Sequence, residues 1–261
     1  MNVLYASDYF KPKLVDEAFR AEARAFQERG FRSVALNLDS IASGAVELRS
    51  TLEGAALYRG WMLDTTSYSN LVETIRKAGG TPFTALEQYL LTHHIPNWVS
   101  LLSDLTPETV VLPNGSDFES ELKALGWSEF FVKDYVKSLK TSMGSKVSDP
   151  EQIGPLVEEM RKFRGTIEGG LCVRRVEDLK PETEERYFVL RGNAFAAAGT
   201  GVPHIVSMCA ERISSPFFSV DVAKNEKDQL RVVEIGDGQV SDTVGWTIER
   251  FTELFAAEAG G

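Results

Sequence analysis

The stretch LRVVEIGDGQVSD, Leu230 to Asp242, decides how this chain is read. It begins as a strand, with β-branched side chains at Val232, Val233 and Ile235. Glu234 stands among them, and a carboxylate in an apolar strand is costly to bury unless something positive lies against it. A glycine–acid–glycine turn carrying Asp237 follows. Upstream, FFSVDVA and QLRVVEI flank KNEKD, the pattern of a hairpin. Pairing Ala223 with Val232 sets Asp221 opposite Glu234 and leaves Glu226 to Gln229 as the connection. Opposed side chains share a face, with Cβ atoms roughly 5 Å apart. Two facing acids suit Mg²⁺, which takes a few carboxylate oxygens and completes its octahedron with water and phosphate. Zn²⁺ would want His or Cys. Asp237, just past the strand end, can reach the same point as a third ligand. The plainer alternative is a solvent-facing Asp221 and an ordinary turn.

Composition narrows what such a site can serve. The chain has 261 residues, 43% hydrophobic and 25% charged, as expected of one globular unit built of two or three lobes. A formal charge of −10 argues against a broad nucleic-acid face and leaves room only for a local basic pocket. No apolar run approaches the roughly 20 residues of a membrane span, and MNVLYASDYFKPK has no signal-peptide pattern. Cys172 and Cys209 make no disulfide framework and fit a reducing cytosol, so the expected location is cytoplasmic.

Along the chain, NVLYAS, RSVALNL and GAALYRGWML read as strands that alternate with helices in VDEAFRAEARAFQERG, about Asn70 to Ala78, and TALEQYLLTHH. Such alternation predicts a small parallel α/β domain over residues 1–110. The remainder, 111–261, reads as α+β. It holds the strand EFFVKDYVKSLK, the loop KTSMGSK and a helix in PEQIGPLVEEMRKFRG. The strands LCVRRVEDL, ERYFVLRGNAFAAAG and HIVSMCAE follow, then the Asp221–Glu234 hairpin and a last helix from about Val244 to Glu258. That helix carries Val244, Ile248, Phe251 and Phe255 on one face, with Ser241 or Asp242 as its cap.

Cations are placed to answer the acids. Lys133 sits mid-strand between apolar neighbours, where a lysine needs a partner, while Lys140 and Lys146 flank a Gly/Ser loop able to meet phosphates. Arg174 and Arg175 fall on opposite faces of one strand, and Arg186 and Arg191 bound another, so one of each pair points inward. Inward lysine, arginine, aspartate and glutamate are together accounted for by a phosphate chain and Mg²⁺.

This order of elements resembles the ATP-grasp superfamily over residues 110–258. The resemblance runs through the strand lysine of FFVKDYVKS, a Gly/Ser loop, LCVRRVEDL leading into a hinge near 170–178, the arginine strand ERYFVLRGNAFAAA, and FFSVDVA…VVEIGDGQ. It is nearest to the compact ATP-grasp proteins of bacteria and phages, where VEIGDGQVSD replaces the commoner E-x-N. The resemblance implies an ATP-grasp fold of two α+β lobes clasping ATP, preceded by the parallel α/β pre-ATP domain. It implies that Lys133, with Lys140 or Lys146, contacts the ATP phosphates. The segment Leu171 to Asp178, with Cys172, Val173 and Arg174, would line the adenine, and Glu177 or Asp178 would hold the ribose. Arg186 matches the family's arginine, placing it with Lys133 in catalysis, and Asp221 and Glu234 match the metal-binding acids. The chain departs from the pattern at Gly236, where asparagine is usual, so Asp237 must stand in as third ligand or none does. It departs again at the hinge arginines.

The implied activity is an ATP- and Mg²⁺-dependent ligase joining a carboxylate to an amine or thiol through an acyl phosphate. Its partners would be ATP, a small carboxylate or peptide, and an amine nucleophile, with no nucleic acid and no membrane. The acid substrate would be anchored by Arg174, Arg175 or Arg59, the last at the end of the strand in YRGWMLD, because a guanidinium fork suits a carboxylate. Two rivals stay open: a non-catalytic nucleotide-binding module, and an ATP-grasp kinase that phosphorylates a small molecule and stops. A P-loop and a nucleophile elbow are both absent from the sequence.

Overall fold

The computed structural model describes residues 1–258 apart from 46–47, 49–50, 137–144 and 165–166. The chain divides into two units, each assembled from separated segments. The first comprises Met1–Leu90, Arg186–Val220 and Gly236–Gly261; the second comprises Leu91–Glu185 and Asp221–Ile235.

In the first unit, Asn2–Ala6 (β1), Arg32–Leu36 (β2), Ala55–Arg59 (β3) and Thr81–Pro82 (β4) form a parallel sheet in the order β2-β1-β3-β4, as the alternating pattern predicts. Between them run Arg20–Glu28 (α1), Leu38–Ala42 (α2) and Thr65–Lys77 (α3), and Leu86–His93 (α4) follows. Helix α1 buries Ala23 and Phe26 and stops before Gly30, whose φ of +86° a side chain would resist. Helix α3 begins earlier than expected because the Asp64 carboxylate accepts the Ser67 N–H as a cap. The core gathers Tyr5, Phe26, Phe188, Phe217, Phe251 and Phe255, so late strands and the last helix pack on the first sheet's elements.

The second unit holds the antiparallel sheet β5-β8-β6-β7, from Thr109–Pro113 (β5), Phe130–Asp134 (β6), Lys146–Val147 (β7) and Gly170–Arg175 (β8). Ile95–Trp98 (α5) precedes it, and Phe118–Leu125 (α6) and Ile153–Arg164 (α7) lie within its span. Register partners share a face. Val110, Val132 and Val173 thus face a core with Leu122, Ile153 and Leu156, while Val111, Lys133 and Cys172 occupy the opposite face. Strand β5 and helix α6 carry short, mixed patterns and are absent from the sequence reading.

Leu179–Leu190 (β9), Asn193–Phe195 (β10), Phe217–Asn225 (β11) and Leu230–Asp237 (β12) are ordered β10-β9-β11-β12. The chain passes from one unit to the other inside β9, β11 and β12. The hairpin expected around RGN forms with a tighter turn. Leu190 pairs with Asn193, and Arg191 and Gly192 both take positive φ, as a two-residue hairpin turn requires.

Two expectations fail. HIVSMCAE is not a strand: His204–Arg212 is a helix (α8), with Val206, Cys209 and Ile213 buried at helical spacing behind Pro203. The last helix (α9) is confined to Ile248–Glu253 and capped by Thr247, and Val244 is exposed rather than on its apolar face.

Candidate active site

Glu234 has a partner, and it is a protein side chain. Lys133 Nζ on β6 donates to Glu234 Oε2 on β12 at 2.8 Å, with the lysine side chain 5% exposed and the glutamate 27%. Lys133 is therefore inward, as its mid-strand position predicts, and its ammonium also lies over the Phe131 ring. The Mg²⁺ ion expected as Glu234's partner is thus not needed to explain its burial, because a lysine already balances the charge.

Of the two hinge arginines, Arg174 is buried and Arg175 exposed. Arg174 Nη1 donates to Val233 O at 2.6 Å and Nε to Thr109 Oγ1 at 3.4 Å. Burial pulls its guanidinium below the ordinary value, against the opposing pull of Glu234. Arg175 reaches only Glu108 at the surface. Cys172 shares the face of Lys133; burial pushes its thiol up to about 12, so it is a neutral lining group and not a nucleophile. Val173 points the other way, into the core.

Glu177 is held in a fork by Arg231, at 2.9 and 3.0 Å, and Arg231 also donates to Asp104 O and Thr106 O. Val176 and Glu177 line a cavity of about 640 Å³ with Val99, Ser100, Thr109 and Val111. With Asp178 they also border a second cavity of about 360 Å³. Both sizes fall in the range of small-ligand sites. Lys146 is half exposed and paired with Glu129 at 2.9 Å, and Lys140 lies outside the described residues.

Asp221, on β11 in the same unit, is buried. The hairpin register differs from expectation at the turn. Asn225 N donates to Gln229 O, which sets Asn225 opposite Gln229, one residue short of the register that places Ala223 opposite Val232. Gly238 N donates to Phe217 O, which fits the expected register. Between these points β12 carries one residue more than β11. Such a bulge re-aims side chains near it, and the sequence pattern does not reveal it.

In the first unit, Asp237 is fully buried, and its carboxylate accepts from the Gln239 N–H and from Gln239 Nε2. Among the described residues no group of three or more His, Cys, Asp or Glu side chains is placed to hold a metal ion. Asp237 as a third ligand is therefore corrected: its carboxylate is turned onto its own loop. Two carboxylates, from Asp221 and Glu234, beside buried lysine and arginine still suit Mg²⁺ carried with phosphates, since Mg²⁺ is commonly held by one or two.

Arg59, expected at a strand end, is there and buried, but its fork is occupied. Nε and Nη2 donate to the Glu22 carboxylate at 2.9 and 2.8 Å, and Nη1 to Gly238 O and Ser241 O. Burial alone would lower its pKa, yet Glu22 holds it above the ordinary guanidinium value. Its chemistry here is to fix the loop after β12. Glu22 lies on the helix face of α1 and gives no sequence signal of this. Arg186 Nη1 donates to Asp242 O of the same loop at 2.9 Å.

Comparison with known proteins agrees with this arrangement. Residues 124–254 match the model of an ATP-grasp domain, family 3 of its clade. No curated protein sequence matches. The D-cycloserine synthetase DcsG is similar in structure, with a TM-score of 0.68 at 10% identity over 99% of this chain and 100% of that one. So is a RimK domain ATP-grasp protein from Sphaerobacter thermophilus, at 0.67, 15% identity, and 100% and 99% coverage. The D-alanine–D-alanine ligase from Bacillus anthracis, solved with ATP, gives 0.60 at 11% identity over 99% of each chain.

Proposed function

Because the chain belongs to the ATP-grasp family, we propose that it is an ATP- and Mg²⁺-dependent ligase that joins a carboxylate to an amine. Residues 1–110 serve as the pre-ATP domain and 111–261 as the ATP-grasp domain. In the reaction a substrate carboxylate oxygen takes the γ-phosphoryl group and ADP leaves; the amine nitrogen then attacks the acyl carbon and phosphate leaves. The protein's task in the first step is alignment and charge neutralisation rather than covalent chemistry. Lys133 and Arg186 supply the cations for the phosphates, with Lys140 and Lys146 on the loop. Asp221 and Glu234 supply the oxygens for Mg²⁺. Cys172, Arg174 and the Val176–Asp178 segment border the space for the base and ribose. Arg174 is the better substrate or nucleotide contact of the two hinge arginines, because only it is inward.

The observation that carries this reading is the buried Lys133–Glu234 pair. A desolvated ion pair is weak as a stabilising device. It makes sense as a charge reserve from which Lys133 turns to phosphate and Glu234 to Mg²⁺ when nucleotide enters.

The test is thermal melting with and without a saturating non-hydrolysable ATP analogue and Mg²⁺, on wild type and on Glu234→Gln. A ligand at 100 times its Kd adds about 2.7 kcal/mol, and each kcal/mol moves the midpoint by roughly 2–4 °C at this size. Wild type is expected to shift by about 5–10 °C only when Mg²⁺ is present, and Glu234→Gln to shift much less. Absence of a wild-type shift refutes the proposal.

A further inference from the structure

Six of the seven large hydrophobic side chains exposed among the described residues lie on three loops of the first unit: Tyr9, Phe10 and Leu14 after β1, Trp61 and Met62 after β3, and Val244 after β12. Observed contacts bring these loops to one edge. Strands β1 and β3 are parallel neighbours, with Tyr5 opposite Arg59, so the first two loops leave the same end of the sheet. The third is tied to that end, since Gly60 N donates to Gln239 O and Arg59 Nη1 to Gly238 O and Ser241 O. The Trp61 ring meets Phe19, which follows the first loop, at 5.1 Å.

The first loop is braced, so its exposed rings are not a consequence of slack. The Asp8 carboxylate accepts from the Phe10 and Lys11 N–H groups and pairs with Arg20, Asp8 N donates to Leu14 O, and Arg20 Nε donates to Val15 O. That turn holds Tyr9 82% and Phe10 87% exposed, edge to face. Among the described residues neither Lys11 nor Lys13 makes an ion pair. The tip YFKPKL therefore presents two uncompensated cations with two aromatic rings, on a chain whose net charge is −10.

We infer that this ledge docks an acidic polypeptide segment in extended form, with apolar side chains on the rings and carboxylates on Lys11 and Lys13. Contiguous exposed apolar surface marks an interaction site. A small molecule would want a concave pocket that buries most of its surface, whereas these side chains stand out from three loops and suit a chain laid across them. The loop that closes the ledge is the one whose Asp242 O holds Arg186. This deepens the ligase reading, and rests on it, only in taking the docked polypeptide as the acid substrate.

The probe is a fluorescein-labelled peptide of about a dozen residues alternating Glu with Phe and Leu, followed by anisotropy on the full chain. A matched peptide with Lys in place of Glu serves as control. The acidic peptide is expected to bind at least tenfold more tightly than the control. Phe10→Ser with Trp61→Ser, and Lys11→Glu with Lys13→Glu, should each weaken it tenfold or more while keeping the wild-type melting point. Equal affinity for the two peptides, unaltered affinity in the variants, or no binding overturns the inference. So does sedimentation showing a dimer that these variants dissociate, since a second copy would then be the occupant. Peptide binding is read without nucleotide. A wild type that binds peptide but shows no Mg²⁺–nucleotide shift would sink the ligase reading and leave the docking surface standing.

Discussion

Glu22→Gln should unfold the first unit well below the wild-type temperature, because it strands a guanidinium in the protein interior. Arg59 and Glu22 are 3% and 9% exposed as side chains and meet through two bonds of 2.8 and 2.9 Å, so solvent neither screens the pair nor replaces a lost partner. The amide keeps the volume and removes the charge. An exposed ion pair is worth at most about 1 kcal/mol, but removing one partner of a buried pair costs about 3–5 kcal/mol. At roughly 2–4 °C per kcal/mol, the midpoint should fall by about 6–20 °C. Arg59→Lys should also lose stability, since one ammonium cannot serve both the Glu22 fork and the carbonyls of Gly238 and Ser241. Replacing both residues by Met removes both charges and should cost less than the sum of the single changes, giving a favourable coupling in the cycle. Calorimetry of the four proteins at one pH reads this directly. A fall of under about 2 °C for Glu22→Gln would place the pair in effectively high dielectric and refute the reasoning.

High pH should act through buried phenols. Burial raises Tyr5, Tyr58, Tyr68 and Tyr89 above the ordinary tyrosine value. Their folded pKa values exceed the unfolded ones, so the stability they contribute is complete below about pH 10 and is lost as pH rises above it. At pH 11 each costs about 1.4 kcal/mol, and the set about 5 kcal/mol. Urea titrations at pH 8 and 11 should show this, with phenolate absorbance from these residues appearing together with unfolding; titration near pH 10 with the fold intact would contradict it. Gly236→Ala should destabilise by about 1–3 kcal/mol, because its Cβ would meet Ser241 Oγ at 2.8 Å and Ser219 Oγ at 2.9 Å. Adding Ser219→Ala and Ser241→Ala should restore most of the loss in melting experiments, and failure to restore it would assign the cost elsewhere.

Residue order and local pattern suffice for the parallel α/β start, for the lysine and glutamate that meet, and for the hairpin with its four-residue connection at 226–229. These are legible because each rests on a local rule: strand alternation, helix caps, turn residues, and the cost of a charge among apolar neighbours. Lys133 and Glu234 can be named separately for that reason, although only the fold shows that each is the other's partner. Pairings between distant segments lie beyond such rules. Glu22 looks like any polar helix residue until Arg59 is packed against it, and Arg59 looks like a ligand anchor until its fork is seen to be taken. The choice between Arg174 and Arg175 needs the sheet register and the position of Val233 O. The one-residue bulge in β12 and the turning of Asp237 onto Gln239 follow from hydrogen bonds that no periodicity encodes. HIVSMCAE is helix rather than strand because burial of Val206, Cys209 and Ile213 overrides an ambiguous apolar run. Local rules fix which residues need partners; only three-dimensional packing chooses the partners, because desolvation and hydrogen bonding act between groups that the chain keeps far apart.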